Sequence, residues 1–425
     1  MVTGTTVRDM PAPDFTIRET DSEAERVEIK LLLGSAFDVR PSVGKVFGQL
    51  YDDVSGGWEP TSTSIVAVAN DQVIGHTLFV PRAFGFDGVE IPGAIVAMVV
   101  VAPNWRGSGV GSALMTYTEV LAKRQGLFYL HLAGNRGFYG RMGFVDGYQN
   151  CRTSVIMESV RLDGSELHLA GPGDLDALVA LSSVGAPPGS VLPGADRWRW
   201  VIDTGHPRAL VSRIEYLIGI LSEDDFLLLD DTQTGGVIRA AGAGEKLVVY
   251  EAWSGSGSGG RLLGSVVQFA RGRGYRQISL HLPQSNEISL AAAELGGVRE
   301  CCVDPQLLGK VLDPCGMLER MCPAFSRRLT NSEMSMWTGQ IEFRIDDTAV
   351  AAAISRGRVT MRPAEERNAQ WVISIPGIAL TRALLGTDRF VDRAETQIGD
   401  DSELRLLLDT LFPLKTPHFW LADSI

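Results

Sequence analysis

The chain has 425 residues, too many for one ordinary core, so two or three domains are expected. Its 45% hydrophobic and 21% charged residues are ordinary for a globular protein, and its net charge of -12 argues against nucleic acid, whose phosphates demand a basic surface. No apolar run approaches the ~18 residues that span a bilayer, so no membrane partner is expected. The first fifteen residues lack an apolar signal core and read as a short lead-in, and Val2 excludes myristoylation. The acidic balance suits a cationic small molecule as well as an ordinary cytosolic surface.

Residues 14–150 alternate between strands and helices. Phe15–Arg18 is a short strand. Thr20 or Asp21 caps a helix over Ser22–Ala36, with Val27, Leu31 and Leu32 along its apolar face. Ser64–Asn70 and Val73–Phe84 form an antiparallel hairpin turned by Asp71-Gln72. Ala94–Val101 is a buried strand. Val110–Gln125 is a helix, with Val110, Leu114, Tyr117 and Leu121 at helical spacing and Gly126 as its stop. Phe128–Ala133 is another buried strand.

Residues 151–325 repeat this order weakly. A hairpin over Ala240–Trp253, a glycine-rich turn at Gly255–Gly260, a helix over Arg261–Gly272 and a strand at Gln277–Leu282 follow one another, and SLHLP echoes the earlier YLHLA. Residues 326–425 change character. Gln340–Ile345 and Arg358–Arg362 alternate as in a half-solvated antiparallel sheet, Trp371–Ile375 is a strand, and Ile378–Leu385 and Leu404–Phe412 are amphipathic helices.

The five cysteines (Cys151, Cys301, Cys302, Cys315 and Cys322) are odd in number and contain no C-x-x-C, so free thiols in a reducing compartment, the cytoplasm, are expected. With no paired ligand spacing among the cysteines or the six histidines, no metal site is expected.

The stretch that carries chemistry is MVVVAPNWRGSGVGS, Met98 to Ser112. A buried strand ends at Pro103, a glycine-rich turn follows, and a helix begins at once. Glycines let the backbone approach an anion, and the amides and dipole of the helix N-terminus attract it. Arg106 adds positive charge. The group held here should be a phosphate or pyrophosphate. No lysine follows the glycines, as a P-loop requires, and Ser112 stands where the dinucleotide fingerprint needs its third glycine.

The run does resemble the R-x-x-G-x-G/A turn of the GNAT superfamily of N-acetyltransferases. That resemblance implies acetyl-CoA as cosubstrate. It implies pantetheine bound along Val99, Val100 and Val101, and pyrophosphate on Arg106, Gly107, Ser108, Gly109, Val110, Gly111 and Ser112. The later run GNRGFYGRMGF is similar to the family's FY-x-x-x-GF segment. It implies Gly134 and Asn135 beside the acetyl group and Tyr139 as the acid that protonates the departing thiolate. The other reading of Tyr139 is a core residue at a helix start.

The layout of the whole chain resembles the enhanced-intracellular-survival family of bacterial N-acetyltransferases. In this reading residues 1–150 are an acetyltransferase domain, 151–325 a degenerate second copy, and 326–425 an α+β domain similar to sterol carrier proteins. The implied fold class is α/β (α+β), and the implied acceptor is a primary amine of an aminoglycoside, polyamine or peptide lysine. A hexamer is implied, with the terminal carboxylate of Ile425 as general base. The sequence departs from that family's aromatic last residue, and an ordinary frayed terminus is the other reading, although Phe419–Leu421 is apolar enough to anchor the tail.

Three further features stay open. Gly255–Gly260 fits the dinucleotide fingerprint, but no acidic residue ends the next strand, so a relic phosphate turn is expected. Trp198 and Trp200, alternating with Arg197 and Arg199, are a contact surface or core packing. Phe37, Phe47 and Trp58, with Asp38, Asp52 and Asp53, would read the acceptor or simply pack and face water. Besides acetyl transfer, a non-catalytic CoA- or lipid-binding protein is the competing function.

Overall fold

The computed structural model describes residues 14–36, 47–48, 51–52, 54, 61–182, 186–204, 224–230, 235–255, 257–364, 369–393 and 401–420. Phe37, Asp38, Asp53, Trp58, Leu421 and Ile425 lie outside them. The chain divides into two compact units, residues 1–80 with 96–121, and residues 81–95 with 122–425.

The first unit holds β1 (Thr16–Thr20), α1 (Glu23–Ala36), β2 (Thr63–Ala69), the first part of β3 (Gln72–Phe86), the second part of β4 (Val89–Val101) and most of α2 (Val110–Arg124). β1, β2 and β3 pair antiparallel. The β2–β3 turn is Asn70-Asp71 rather than Asp71-Gln72. Both residues have positive φ, 50° and 57°, as a two-residue hairpin that matches strand twist requires. Gln72 already pairs with Ala69. The apolar face of α1 is also corrected. Ile29, Leu32 and Leu33 are buried, while Val27 and Leu31 are exposed. Their i, i+4 spacing belongs to a second stripe that finds no cover among the described residues.

Helix α2 buries Val110, Leu114 and Leu121, but Tyr117 is half-buried, with its hydroxyl 3.2 Å from Glu19. The helix lies close on β3 because residue 75 has no side chain. A Cβ on Gly75 would stand 2.9 Å from Val110 Cγ1 and 3.2 Å from the Val100 carbonyl oxygen.

The second unit is larger. β3 and β4 run into it and join at Asp87-Gly88, again with both φ positive. β4 therefore starts at Val89, five residues before the apolar run that marks it in the sequence. Beside its first half stands β5 (Tyr129–Ala133), where the Phe128 amide donates to the Pro92 carbonyl at 2.9 Å. α3 (Arg136–Tyr139), β6 (Val145–Asp146) and β7 (Gln149–Val155) follow, then β8 (His168–Leu169), α4 (Leu175–Ser182), β9 (Ser190–Val191) and α5 (Ala195–Thr204). β10 (Asp224–Asp230), β11 (Gly236–Ala243) and β12 (Lys246–Ser254) form a meander. α6 (Gly259–Gly272) then crosses to β13 (Gln277–Leu280), which is parallel to β12. α7 (Glu287–Glu294), β14 (Val298–Val303) and β15 (Leu307–Val311) complete this part.

One sheet runs β14-β7-β13-β12-β11-β10-β8. β15, from within residues 151–325, instead pairs with β5 and β6. β7, which begins before residue 151, lies in the later sheet. Since most of β7 already belongs to the later stretch, it is β15 that crosses over, a non-local pairing that no local pattern encodes. α6 buries Leu262, Leu263, Val266, Val267 and Ala270 against that sheet.

The remaining residues carry α8 (Pro314–Thr330), β16 (Thr338–Ile345), β17 (Thr348–Ser355), β18 (Arg358–Pro363), β19 (Trp371–Ile375), α9 (Gly377–Leu385), α10 (Phe390–Arg393) and α11 (Ser402–Leu411). The sheet order is β18-β17-β16-β19; burial alternates on β18 as the sequence indicates, but on β16 Glu342 is buried between Ile341 and Phe343, so the alternation expected over Gln340–Ile345 is broken. It is mixed rather than wholly antiparallel, because β19 runs parallel to β16. Phe325, Phe343, Phe390 and Phe412 form its aromatic core, with Phe390 stacked on Phe412 at 4.4 Å.

The cysteine reading is corrected by this topology. β7 and β14 pair so that Cys151 faces Cys301 with Cα atoms 4.2 Å apart, and the two form a disulfide. Cys302, Cys315 and Cys322 are free. A bridge across 150 residues depends on strand register, which cysteine spacing does not reveal.

Candidate functional site

In the first unit the strand-turn-helix passage is built around free amides. Ala102 donates to the Ile74 carbonyl at 2.8 Å, which fixes the end of β4. A short 3₁₀ turn over Pro103–Trp105 follows, and the Ser108 hydroxyl donates to the Trp105 carbonyl at 2.6 Å. Gly107 and Gly109 have φ of +79° and +93°, a region that excludes most side chains, and open space surrounds the Cβ position of each. Among the described residues no backbone carbonyl accepts from the amides of Gly107, Gly109, Val110, Gly111 or Ser112. The first intrahelical bond here is Ala113 to Gly109, at 3.0 Å. A concave row of unpaired amides at a helix start suits a phosphate-bearing ligand. Arg106 is exposed, and its Nε–H donates to the Val101 carbonyl at 3.3 Å. Val99 and Val101 are half-buried and Val100 is buried on the adjoining strand.

In the second unit Tyr139 closes α3. Asn135 caps this helix: its side chain accepts from the Gly137 amide at 2.7 Å, and its carbonyl accepts from Phe138 and Tyr139. The Gly134 amide is taken by the Gln306 carbonyl at 2.8 Å. Gly134 serves Tyr139 by lacking a side chain, since a Cβ there would stand 2.3 Å from Tyr139 Cε2. The ring is buried beside Phe138 and Phe144. Burial pushes the phenol up to about 12. Its hydroxyl has no hydrogen-bond partner among the described residues. Val99–Val101 and the Arg106–Ser112 turn thus stand in one unit, and Gly134, Asn135 and Tyr139 stand together in the other.

Residues 60–146 match the family model described as Acetyltransferase (GNAT) domain. The chain carries a GNAT acetyltransferase domain. No curated protein matches the chain. Solved structures similar to it include a GCN5-related N-acetyltransferase from Kribbella flavida (18% identity, TM-score 0.71). Others are a probable N-acyltransferase from Enterococcus faecalis V583 (15%, 0.69) and Eis1 from Mycobacterium abscessus (15%, 0.66). Each comparison covers 97% of this chain and all of the other. At such identities the likeness is one of fold, and it extends well past the GNAT domain itself.

Beyond the GNAT domain, the glycine turn at Gly255–Gly260 has its own internal ligand. Glu287, at the start of α7, accepts from the Gly257 amide at 2.8 Å and from the Gly259 amide at 3.2 Å. A carboxylate fills the place where a phosphate would sit, which removes the dinucleotide reading and agrees with a relic turn. Acetyl-CoA is therefore expected to bind once per chain. Titration calorimetry checks this, with Glu287→Ala as the variant in which a second, weaker site for the CoA pyrophosphate would open.

Trp198 is core, fully buried with its Nε1–H 3.2 Å from Ser182 Oγ, and Arg197 is buried beside Glu251. Asp52 pairs with Lys30 at 3.0 Å, and Phe47 is half-buried. Among the described residues no group of side chains is arranged to hold a metal ion, and no helix is long and apolar enough to cross a membrane.

The end of the described chain is anchored. The Gln149 amide donates to the Pro417 carbonyl at 2.9 Å, and the His418 Nδ1–H donates to the Gln149 carbonyl at 3.2 Å. Phe419 stacks on His131 of β5 at 3.8 Å, and Trp420 packs on Trp253 at 4.9 Å. Desolvation pulls the His131 imidazole down to about 3, so this stacking partner is neutral. Ile425 lies outside the described residues.

Proposed function

We propose that the protein transfers acetyl from acetyl-CoA to a primary amine of an aminoglycoside, a polyamine or a lysine side chain. The observation that carries this reading is the set of unpaired amides at Gly107 and from Gly109 to Ser112, in the segment that matches the GNAT model. Val99–Val101 would take the pantetheine arm, and the turn the pyrophosphate. The amine nitrogen attacks the thioester carbonyl, the carbon–sulfur bond breaks, and the phenol of Tyr139 gives its proton to the departing thiolate. The raised phenol favours the role in one respect, because the group stays protonated throughout the physiological range.

The ammonium acceptor must also lose a proton, and the proposed base is the carboxylate of Ile425. The anchoring of Phe419 and Trp420 supports it: five further residues reach no more than about 18 Å from Trp420. The proposed organisation is a GNAT domain over 1–150, a degenerate copy over 151–325 and a sterol-carrier-like domain over 326–425, assembled as a hexamer. Light scattering of the purified protein tests the assembly.

The deciding experiment measures CoA release from acetyl-CoA with a panel of aminoglycosides, polyamines and lysine peptides. Turnover with any of them supports the reading. Tight acetyl-CoA binding without turnover, together with co-purified lipid, would favour the non-catalytic alternative. Absence of binding overturns the acetyl-CoA assignment.

The proposed location is the cytoplasm, a compartment able to reduce the Cys151–Cys301 bridge that the structure contains. Five titratable thiols in denatured protein from a reducing extract, falling to three after oxidation, is the expected count.

A further inference from the structure

Six residues other than glycine have positive φ among the described residues. Asn70, Asp71, Asp87, Asp346 and Arg356 sit in hairpin turns, where that conformation is needed. Met98 is the exception. Its φ is +51° in the interior of β4, and it is buried. An unbranched apolar side chain gains nothing locally from the left-handed region, so something must hold it there. The residue after it opens the Val99–Val101 stretch.

What holds it is a buried polar chain in the same unit. His76, on β3, has no solvent exposure, and its Nδ1 lies 3.2 Å from the Met98 carbonyl oxygen. A carbonyl only accepts, so Nδ1 carries the proton. Nε2 then accepts from the Ser64 hydroxyl at 3.4 Å, and Ser64 Oγ in turn accepts from Tyr51 at 2.9 Å. Burial brings the imidazole down to about 4, so this tautomer is neutral and constant across the working range.

We infer that His76 is a positioning residue for acetyl-CoA: its Nδ1–H bond to the Met98 carbonyl fixes the left-handed residue in β4 and so sets the backbone of Val99–Val101 that receives the pantetheine. The inference rests on the acetyl-CoA reading above. Met98 interrupts the regular pleat, and its conformation sets the direction of the peptide groups that follow it. Losing the bond would let Met98 relax toward ordinary β geometry and turn those groups away from their ligand.

The test compares two polar substitutions. His76→Asn keeps an N–H at the Nδ1 position, whereas His76→Gln moves it to the Nε2 position and leaves the Met98 carbonyl without its donor. In His76→Gln, Kd for CoA and KM for acetyl-CoA are expected to rise about tenfold with kcat nearly unchanged. His76→Asn should stay close to wild type. Adding Met98→Gly to His76→Gln should restore binding, because glycine takes φ +51° without strain. Equal CoA affinity in the Asn and Gln variants overturns the inference, as does a tenfold loss in a folded Asn variant should the Gln variant fail to fold. A wild type that binds no CoA overturns the acetyl-CoA reading and this inference with it, whereas a wild type that binds while His76→Gln is unaltered overturns only the inference.

Discussion

Replacing Tyr139 with phenylalanine is expected to lower kcat by roughly 100- to 10,000-fold, the range that one general acid contributes. The substitution removes only the hydroxyl. The ring keeps its place against Gly134 and beside Phe138 and Phe144, so stability and the Kd for acetyl-CoA should not change. The pH dependence supplies a second reading of the same group. Burial raises its pKa to about 12, so the proton is present below that value and lost only as pH rises through it. Wild-type kcat should therefore show no alkaline fall from Tyr139 between about pH 7 and 10, where an exposed phenol would begin to titrate. Steady-state CoA release over that range, for both proteins, checks both statements. An unchanged kcat in Tyr139→Phe removes the general-acid role and leaves Tyr139 as a core residue.

The legible part of this molecule was the part governed by short-range rules. Strand, turn and helix follow one another over Met98–Ala113, and two of the three glycines there, Gly107 and Gly109, take positive φ. The FYGRMGF run likewise places Tyr139 at a helix, with Gly134 against its ring. What the sequence hid depends on pairing between distant segments. Nothing in the text near residue 307 says that β15 joins β5, and nothing near Cys151 says that β14 will set Cys301 opposite it. Nothing in the sequence around Glu287 marks it as a partner of the glycine turn, and only the fold brings it to the amides of Gly257 and Gly259. His76 is hidden for a similar reason. A single histidine inside a hydrophobic strand gives no signal until the strand it faces is shown to contain a left-handed methionine. On α1 the difference is one of phase: Val27 and Leu31 share a stripe, but the core takes Ile29, Leu32 and Leu33.

The turn itself supports the second large effect. Gly109→Val should raise Kd for acetyl-CoA by at least about 100-fold, about 2.7 kcal/mol. A β-branched residue at φ +93° is a true outlier, and holding it there costs of order 1–3 kcal/mol. No protein atom blocks the new Cβ, so the chain itself has no steric reason to unfold. The cost falls on the conformation that presents the amides, and the added methyl groups stand where a pyrophosphate would approach. Arg106→Ala provides the contrast. Arg106 is exposed, so its attraction is screened, and its loss should weaken binding only several-fold, by an amount that shrinks as salt is added. Binding calorimetry at two salt concentrations separates the two contributions. A large, salt-insensitive loss in Gly109→Val beside a small, salt-sensitive one in Arg106→Ala means that oriented backbone amides hold the anion. The reverse pattern would make the guanidinium the principal anchor and the glycines a matter of chain geometry alone.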